Sequence, residues 1–355
     1  MNFDEIIKED MENIFQRDSW KCFDGTTFLI TGAYGMLASY LVSFLIFLNE
    51  YKSFNIRIIL VGRSSTKIKR CFGEYLDREY ITICLSDTLD IQKLPDCDVD
   101  YYVHAAGIAN PRLYATMPVN VAEPNVIGTY NLLKISAQHK TKKFLFFSSG
   151  DIYGKIDSQI ITEDMSGAVD PLGVHSCYGE SKRMGENLCF DFFKQYNVPT
   201  VIARIGHTYG PNMDLDNDPR VFASFMKCAI ERKDIELLSD GRAKRPFCYV
   251  ADAIAAYLLL LKEGKPGEAY NVCNTNQFLS IYELAKIIAK LSPIPLQVTF
   301  KNRDLNDKYV ENTDNMCNCP VEDKLKKLGW NCEYTAEQGF MNVYSHLMNS
   351  GIVHE

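Results

Sequence analysis

Residues 31–42 read TGAYGMLASYLV. Ahead of this stretch, Thr27–Thr31 (TFLIT) has the β-branched and aromatic content of a strand, and behind it Met36–Glu50 has helical length and period. A glycine-punctuated turn in that position admits two readings, an ordinary corner or a phosphate cradle. In the second, Gly32 permits the tight turn, Gly35 lets the backbone approach a pyrophosphate, and Ala38 lets the helix pack close to the strand. The amides and dipole at the helix start then face the phosphates.

Working outward, short apolar runs recur at Ile56–Val61, Ile81–Leu85, Tyr101–His104, Lys143–Ser148 and Thr200–Ile205. Helical segments lie between them, among them Pro124–His139 and Tyr178–Tyr196. Strands alternating with helices predict an α/β fold with a parallel sheet covered on both faces. Ile6, Ile7, Met11, Ile14 and Phe15 give residues 1–24 the pattern of a helical extension ahead of that core. After Ile205 the texture changes to the turn-rich TYGPNMDLDNDPR, then a helix over Val221–Arg232 and short mixed elements, which predicts a smaller second lobe. The expected division is a nucleotide-binding domain over 25–205, joined by about 247–275, and a substrate lobe over 206–246 and 276–355.

A chain of 355 residues with 46% hydrophobic content can bury a large core, and a net charge of −7 gives no general attraction to nucleic acid. The acidic, mixed N-terminus MNFDEIIKEDMENIF lacks a signal sequence, and Met36–Leu48 is too short to span a bilayer, so a cytoplasmic protein without membrane segments is expected. The twelve cysteines are scattered, as for reduced thiols. Only Cys317 and Cys319 stand close together, with no second pair or histidine at zinc spacing, so no metal site is expected.

Two further stretches carry chemistry. In SCYGESKRMGE, Tyr178 and Lys182 stand four apart and share a helix face. In FLFFSSGDIYG, Ser149 falls at the C-terminal end of a strand, where open α/β sheets bind ligands. A phenol is a poor acid or base at neutral pH, but an adjacent ammonium and a cofactor cation lower its pKa. Tyr178 can then exchange a proton with a sugar hydroxyl or carbonyl while a nicotinamide exchanges a hydride. Ser149 would bond the same oxygen, and Lys182 would also hold the nicotinamide ribose.

With TGAYGMLA, HAAG (104–107), NVIGTYNLL (125–133), SSGDIYG (148–154), YGESK (178–182), RIGHTYGP (204–211), PRV (219–221), RPFCYVADAI (245–254) and KKLGW (326–330) in hand, the chain resembles the extended short-chain dehydrogenase/reductases over about residues 25–340. The branch is that of the nucleotide-sugar epimerases, dehydratases and decarboxylases. The resemblance implies a Rossmann-type doubly wound sheet that binds NAD or NADP, with a smaller lobe closing over a nucleoside diphosphate sugar. It implies catalytic roles for Tyr178, Lys182, Ser149 and Asp151. Gly32, Tyr34, Gly35, Met36, Leu37, Asp87, Thr88, Ala105, Ala106 and Gly107 would line the cofactor, with Asp87 on the adenine. Asn110, His207, Arg220, Val221 and Arg245 would face the substrate. Relatives commonly dimerise through two helices, here Pro124–His139 and Tyr178–Tyr196, so a homodimer is expected.

Three departures qualify the resemblance. The dehydratases carry an Asp and a Glu after the fifth strand for removing water, where this chain has Gly150 and the shorter Asp151; the Thr-Ser-Glu arrangement of the decarboxylases is not matched either. After the second strand, ILVGRSSTKIKR has no acid to bond a ribose 2′-hydroxyl, whereas Arg63 and Ser64 suit a 2′-phosphate, so NADP(H) is expected ahead of NAD(H). His207 stands where relatives commonly carry Asn, as a donor to substrate or as a packing residue. These departures point to net reduction of a keto group on a CDP-, UDP- or dTDP-sugar with Tyr178 as proton donor. The alternative is a redox-neutral epimerase, 4,6-dehydratase or decarboxylase with Asp151 as base; a non-catalytic dinucleotide-sensing regulator is a remoter one.

Overall fold

The computed structural model describes residues 3–301 and 318–350. Its centre is a seven-stranded sheet in the order Glu268–Val272, Thr200–Ile205, Lys143–Ser149, Tyr101–His104, Thr27–Thr31, Arg57–Gly62, Ile81–Leu85. Every neighbouring pair is parallel. Strand alternation divides the core in two. Phe28, Ile30, Ile58 and Leu60 join the apolar cluster on one face, under the helices Met36–Lys52 and Val250–Glu263. Leu29, Ile59 and Val61 point the other way, onto Leu132, Leu133 and Phe192 of the helices Thr129–Ser136 and Ser176–Tyr196. The first strand pairs with both the second and the fourth, so the order reverses there, and the crevice at the strands' carboxyl ends opens at that point.

The expected helix over Pro124–His139 begins earlier, and the proline lies inside a longer helical run. Helix Pro118–Glu123 leads into a π-turn, Pro124–Gly128, and then Thr129–Ser136. A proline cannot donate to the preceding turn, and the widened turn absorbs it. The carbonyl of Pro124 is thereby left for a donor outside the helix, the ring of His104.

A three-stranded sheet of Phe278–Ser280, Lys244–Tyr249 and His207–Tyr209 stands beside the large one and carries Arg245 and His207. The chain's start is built into this assembly. Helix Glu5–Gln16, capped by Asp4, buries Ile7, Met11 and Ile14 together with Asp10. Asp10 accepts hydrogen bonds from Tyr40, from Tyr249 at 2.6 Å and from Tyr334 at 2.9 Å. Burial pushes its carboxyl up to about 6 against the pull of these phenols. At the C-cap of this helix, Arg17 pairs at 2.7 Å with Asp252, which is fully buried and also accepts from the amides of Glu333 and Tyr334.

Among the described residues, no helix is long and apolar enough to cross a membrane, the cysteines are free thiols, and no cluster of His, Cys, Asp or Glu is arranged for a metal. Cys317 lies outside the described residues.

Arg17→Ala would strand Asp252 without its counter-charge and is expected to cost about 3–5 kcal/mol in urea unfolding at neutral pH. A loss near that of an exposed ion pair, about 1 kcal/mol or less, would show that the N-terminal helix is not coupled to the core through this contact.

Candidate functional site

The turn at residues 31–36 is shaped by close approach. Gly32 has φ +62°, and a Cβ there would sit 2.9 Å from the carbonyl oxygen of Ala105 and from Cα of Ala106. Gly35 begins the helix Met36–Lys52 without a side-chain cap, so the amides of Met36 and Leu37 face the crevice without a side-chain acceptor. These features fit a dinucleotide diphosphate, the group that uncapped amides and a bare backbone accommodate.

Beside it, His104 fixes the second wall. The amide of Ala106 donates to the Thr31 hydroxyl at 3.1 Å; the hydroxyl therefore donates to Nδ1 of His104 at 2.8 Å, and Nε2–H is left to donate to the carbonyl of Pro124 at 3.1 Å. Burial and the nearby Lys182 push the imidazole down to about 3, so it is neutral. The chain of bonds ties the fourth-strand loop, Ala105–Gly107, to the π-turn. Thr88, also expected at the cofactor, is buried with an unpartnered hydroxyl, into which a Cβ on Gly128 would run at 2.5 Å.

The residues expected at the adenosine end meet each other. Arg63 pairs with Asp87 at 3.3 Å, both partly exposed, and Ser64 caps the helix Ser65–Phe72 by accepting from the Lys67 amide. Tyr34 lies over Gly62, where a Cβ would come within 2.9 Å of its ring, and Lys67 stands 5.6 Å from the face of that ring.

Tyr178 and Lys182 project from the helix Ser176–Tyr196 towards the end of the strand Lys143–Ser149, and both are buried. The lysine ammonium donates to the carbonyl of Phe147 at 2.6 Å and lies 5.0 Å from the Phe146 ring. Burial pushes it down to about 7, with Glu186 opposing. Gly107 gives it room, since a Cβ there would meet Asn125 Oδ1 at 3.0 Å and the ammonium at 3.3 Å. Burial and the charge of Asp151 hold the Tyr178 phenol above its usual value, while a hydrogen bond with Ser149 and the Arg220 guanidinium pull it back. The four candidate catalytic residues are thus together. A second layer fixes them: Arg204 forms a bidentate pair with Glu186 and donates to the Tyr153 hydroxyl, and Arg183 donates to the carbonyls of Ile152 and Gly167.

Of the residues expected at the substrate, Arg220 forks onto Asp218 and donates to the Thr208 carbonyl, and the exposed Val221 opens the helix Val221–Glu231. Arg245 donates to the carbonyl of Lys244. Burial, then the charges of Arg245 and Arg220, push His207 down to about 3, so it is a neutral ring, packed edge-on to Phe247. Asn110 acts locally, its side chain capping the helix Pro111–Thr116.

One residue at this site carries no signal in the sequence. Tyr114, a single aromatic in the short helix Pro111–Thr116, stacks on Tyr178 with centroids 5.1 Å apart and planes within 12°.

The sequence profile described as "NAD dependent epimerase/dehydratase family" matches residues 28–273. The chain belongs to this family. UDP-glucuronic acid decarboxylase 6 of Arabidopsis thaliana is 32% identical over 314 residues, 88% of this chain and 85% of that one. UDP-glucuronic acid decarboxylase 3 of the same plant is 32% identical over 91% of this chain and 89% of its own. Among solved structures, UDP-glucose 4-epimerase of Thermotoga maritima with UDP-glucose superposes with TM-score 0.76 at 22% identity, covering 91% and 99% of the two chains. UDP-N-acetylglucosamine 4-epimerase of Methanobrevibacter ruminantium does so with TM-score 0.78 at 19% identity, covering 92% and 99%. These structural likenesses establish the family's Rossmann-type fold for this chain.

Two outcomes are expected here. Gly32→Ala should abolish dinucleotide binding in calorimetry while the protein stays folded, because the new methyl meets the backbone of residues 105 and 106; retained affinity would contradict the cradle. Lys182 titrates near 10.5 when unfolded and near 7 when folded, so between those values the unfolded chain binds the extra proton and this group makes the dinucleotide-free protein more stable as pH rises. Lys182→Met should therefore raise the melting temperature at pH 7 and flatten its rise from pH 7 to 10; an unchanged profile would show the ammonium is not desolvated.

Proposed function

We propose that the protein is a redox-neutral enzyme that oxidises C4 of a UDP-linked uronic acid, releases C6 as carbon dioxide and reduces C4 again. The observation that carries this reading is the group at the end of the strand Lys143–Ser149, where Ser149, Gly150 and Asp151 stand beside Tyr178. Loss of water from a sugar requires a proton donor for the departing hydroxyl, and Gly150 offers no side chain. A β-keto carboxylate requires none. Its C5–C6 bond breaks, the electron pair moves onto the C4 oxygen as an enolate, carbon dioxide leaves, and C5 takes up one proton, which Asp151 relays from water. The decarboxylase relatives support this choice of substrate over the net keto-sugar reduction expected from the sequence.

In this reading Tyr178 removes and later returns the C4 hydroxyl proton, Ser149 bonds the same oxygen, and Lys182 lends positive charge to the phenol. A bound dinucleotide supplies hydride acceptance and return at C4. The amides of Met36 and Leu37 would hold its diphosphate, Asp87 its adenine and Lys182 its nicotinamide ribose. Arg220, Arg245 and the neutral His207 would meet the substrate diphosphate. We infer NAD(H) in place of the expected NADP(H): a redox-neutral cycle regenerates it at each turnover, and Arg63, on which the NADP(H) preference rests, faces Asp87. Exposed Ile127, Tyr130 and Met184, on the helical run from Pro118 and on the helix Ser176–Tyr196, support the homodimer.

With UDP-glucuronic acid and NAD+, one carbon dioxide and one UDP-pentose are expected per turnover, without net change in dinucleotide absorbance. Stoichiometric NADPH oxidation by a keto-sugar nucleotide would replace this reading with net reduction. Tyr178→Phe should lower turnover about 100-fold or more with dinucleotide affinity unchanged. Mass analysis of the dinucleotide released on denaturation should find NAD; NADP would reverse the cofactor inference.

A further inference from the structure

Every nitrogen of the Arg220 guanidinium already has an acceptor within the chain. Nε and Nη2 fork onto the carboxylate of Asp218 at 2.6–3.0 Å, and Nη1 donates to the carbonyl of Thr208 at 3.0 Å. The Asp218 side chain is only 10% exposed and also accepts from the Arg220 backbone amide at 3.0 Å, so the pair is fixed where the helix Val221–Glu231 begins. The other carboxylates of this loop are engaged elsewhere, Asp214 by Asn217 and Asp216 by Lys227. Of the five N–H groups of a guanidinium these bonds use three, one on each nitrogen, and leave two on the Nη atoms. Arg220 therefore enters the site as one half of a neutral pair. Its charge is felt both at Tyr178 and at His207, so it stands between the reacting end of the site and the residues expected at the diphosphate.

We propose that Asp218 is a specificity-determining residue: by sharing the charge of Arg220, it keeps the site from preferring a free nucleoside diphosphate over a nucleotide sugar. The inference rests on the reading above, in which Arg220 meets the substrate diphosphate. A free diphosphate ends in a monoester phosphate, whose second proton leaves near pH 6. Above neutral pH it therefore bears one more negative charge than the same diphosphate esterified to a sugar. A guanidinium without a counter-charge favours the more highly charged ligand, because Coulomb attraction grows with charge, and free nucleotide would then outcompete the sugar diester. With Asp218 beside it, attraction by the cation and repulsion by the carboxylate offset each other for the extra charge. The two remaining N–H groups still serve as donors to phosphate oxygens. Discrimination thus passes from the phosphate's charge to the sugar, through a repulsive element built against the wrong ligand.

The test measures dissociation constants by calorimetry for UDP, its β-methyl ester and UDP-glucose at about pH 7.5, above the phosphate's second ionisation. NAD+ is present, and Tyr178→Phe is the common background to block turnover. Asp218→Asn keeps an acceptor for Nε and for the Arg220 amide while removing the charge. It should tighten UDP about tenfold and the two diesters about threefold or less, and UDP binding should then weaken more steeply as salt is raised. An unchanged preference among the three ligands, or weaker binding of all of them, overturns the role of Asp218 while the nucleotide-sugar reading stands. The parent supplies a readout that needs no substitution at 218: UDP and its methyl ester should bind within about threefold of each other, and a preference for UDP of about tenfold or more overturns the proposal. Arg220→Gln should weaken all three ligands; no loss removes Arg220 from the diphosphate and this inference with it. If the parent binds none of them, the nucleotide-sugar reading and this inference fall together.

Discussion

An ammonium group buried at the end of a parallel strand is the constraint around which the site is arranged. Among the described residues Lys182 has one hydrogen-bond acceptor, the carbonyl of Phe147, and it is buried. A cation so placed is held by geometry. The neighbouring strand Tyr101–His104 ends opposite Phe146, one residue before that carbonyl, Gly107 must lack a side chain to leave room, and the helix Ser176–Tyr196 must approach closely, which Gly185 allows because a Cβ there would strike the Phe146 ring at 2.4 Å. The neutral state of His104 follows from the same burial and removes a competing positive charge.

The site has two electrostatic regions. Around Tyr178 and Lys182, buried groups are displaced from their usual protonation, and the next layer consists of closed pairs such as Arg204 with Glu186. Near the neutral imidazole of His207 stand two guanidiniums, Arg245 and the Asp218-paired Arg220. The first arrangement suits proton exchange with a sugar oxygen and the second an anionic diphosphate.

Much of this was legible in the sequence because it is local. The strand–turn–helix at residues 27–52, the four-residue spacing of Tyr178 and Lys182, and Ser149 at a strand end need only neighbouring residues to be recognised. Boundaries were least secure where a local rule was overridden. Pro124 reads as a helix start, yet the chain runs through it in a π-turn whose carbonyl serves His104. The pairing of Arg63 with Asp87 was illegible because it joins the ends of two strands. Tyr114 and Asp10 were illegible for the same reason: a lone tyrosine and a lone aspartate acquire roles from partners far along the chain.

Asp10 has a consequence for how this protein is made. Its three phenols come from residues 40, 249 and 334, so the carboxylate near the start of the chain is satisfied only when almost the whole sequence is available. During synthesis the sheet can assemble while the first helix waits with a charged group that has no place to be buried. Such long-range closure is slow relative to local structure, and it makes docking of the N-terminal helix a late event in biogenesis. A nascent chain stalled before Tyr334 would hold a nearly complete dinucleotide domain with its first helix undocked, a state open to chaperones and proteases.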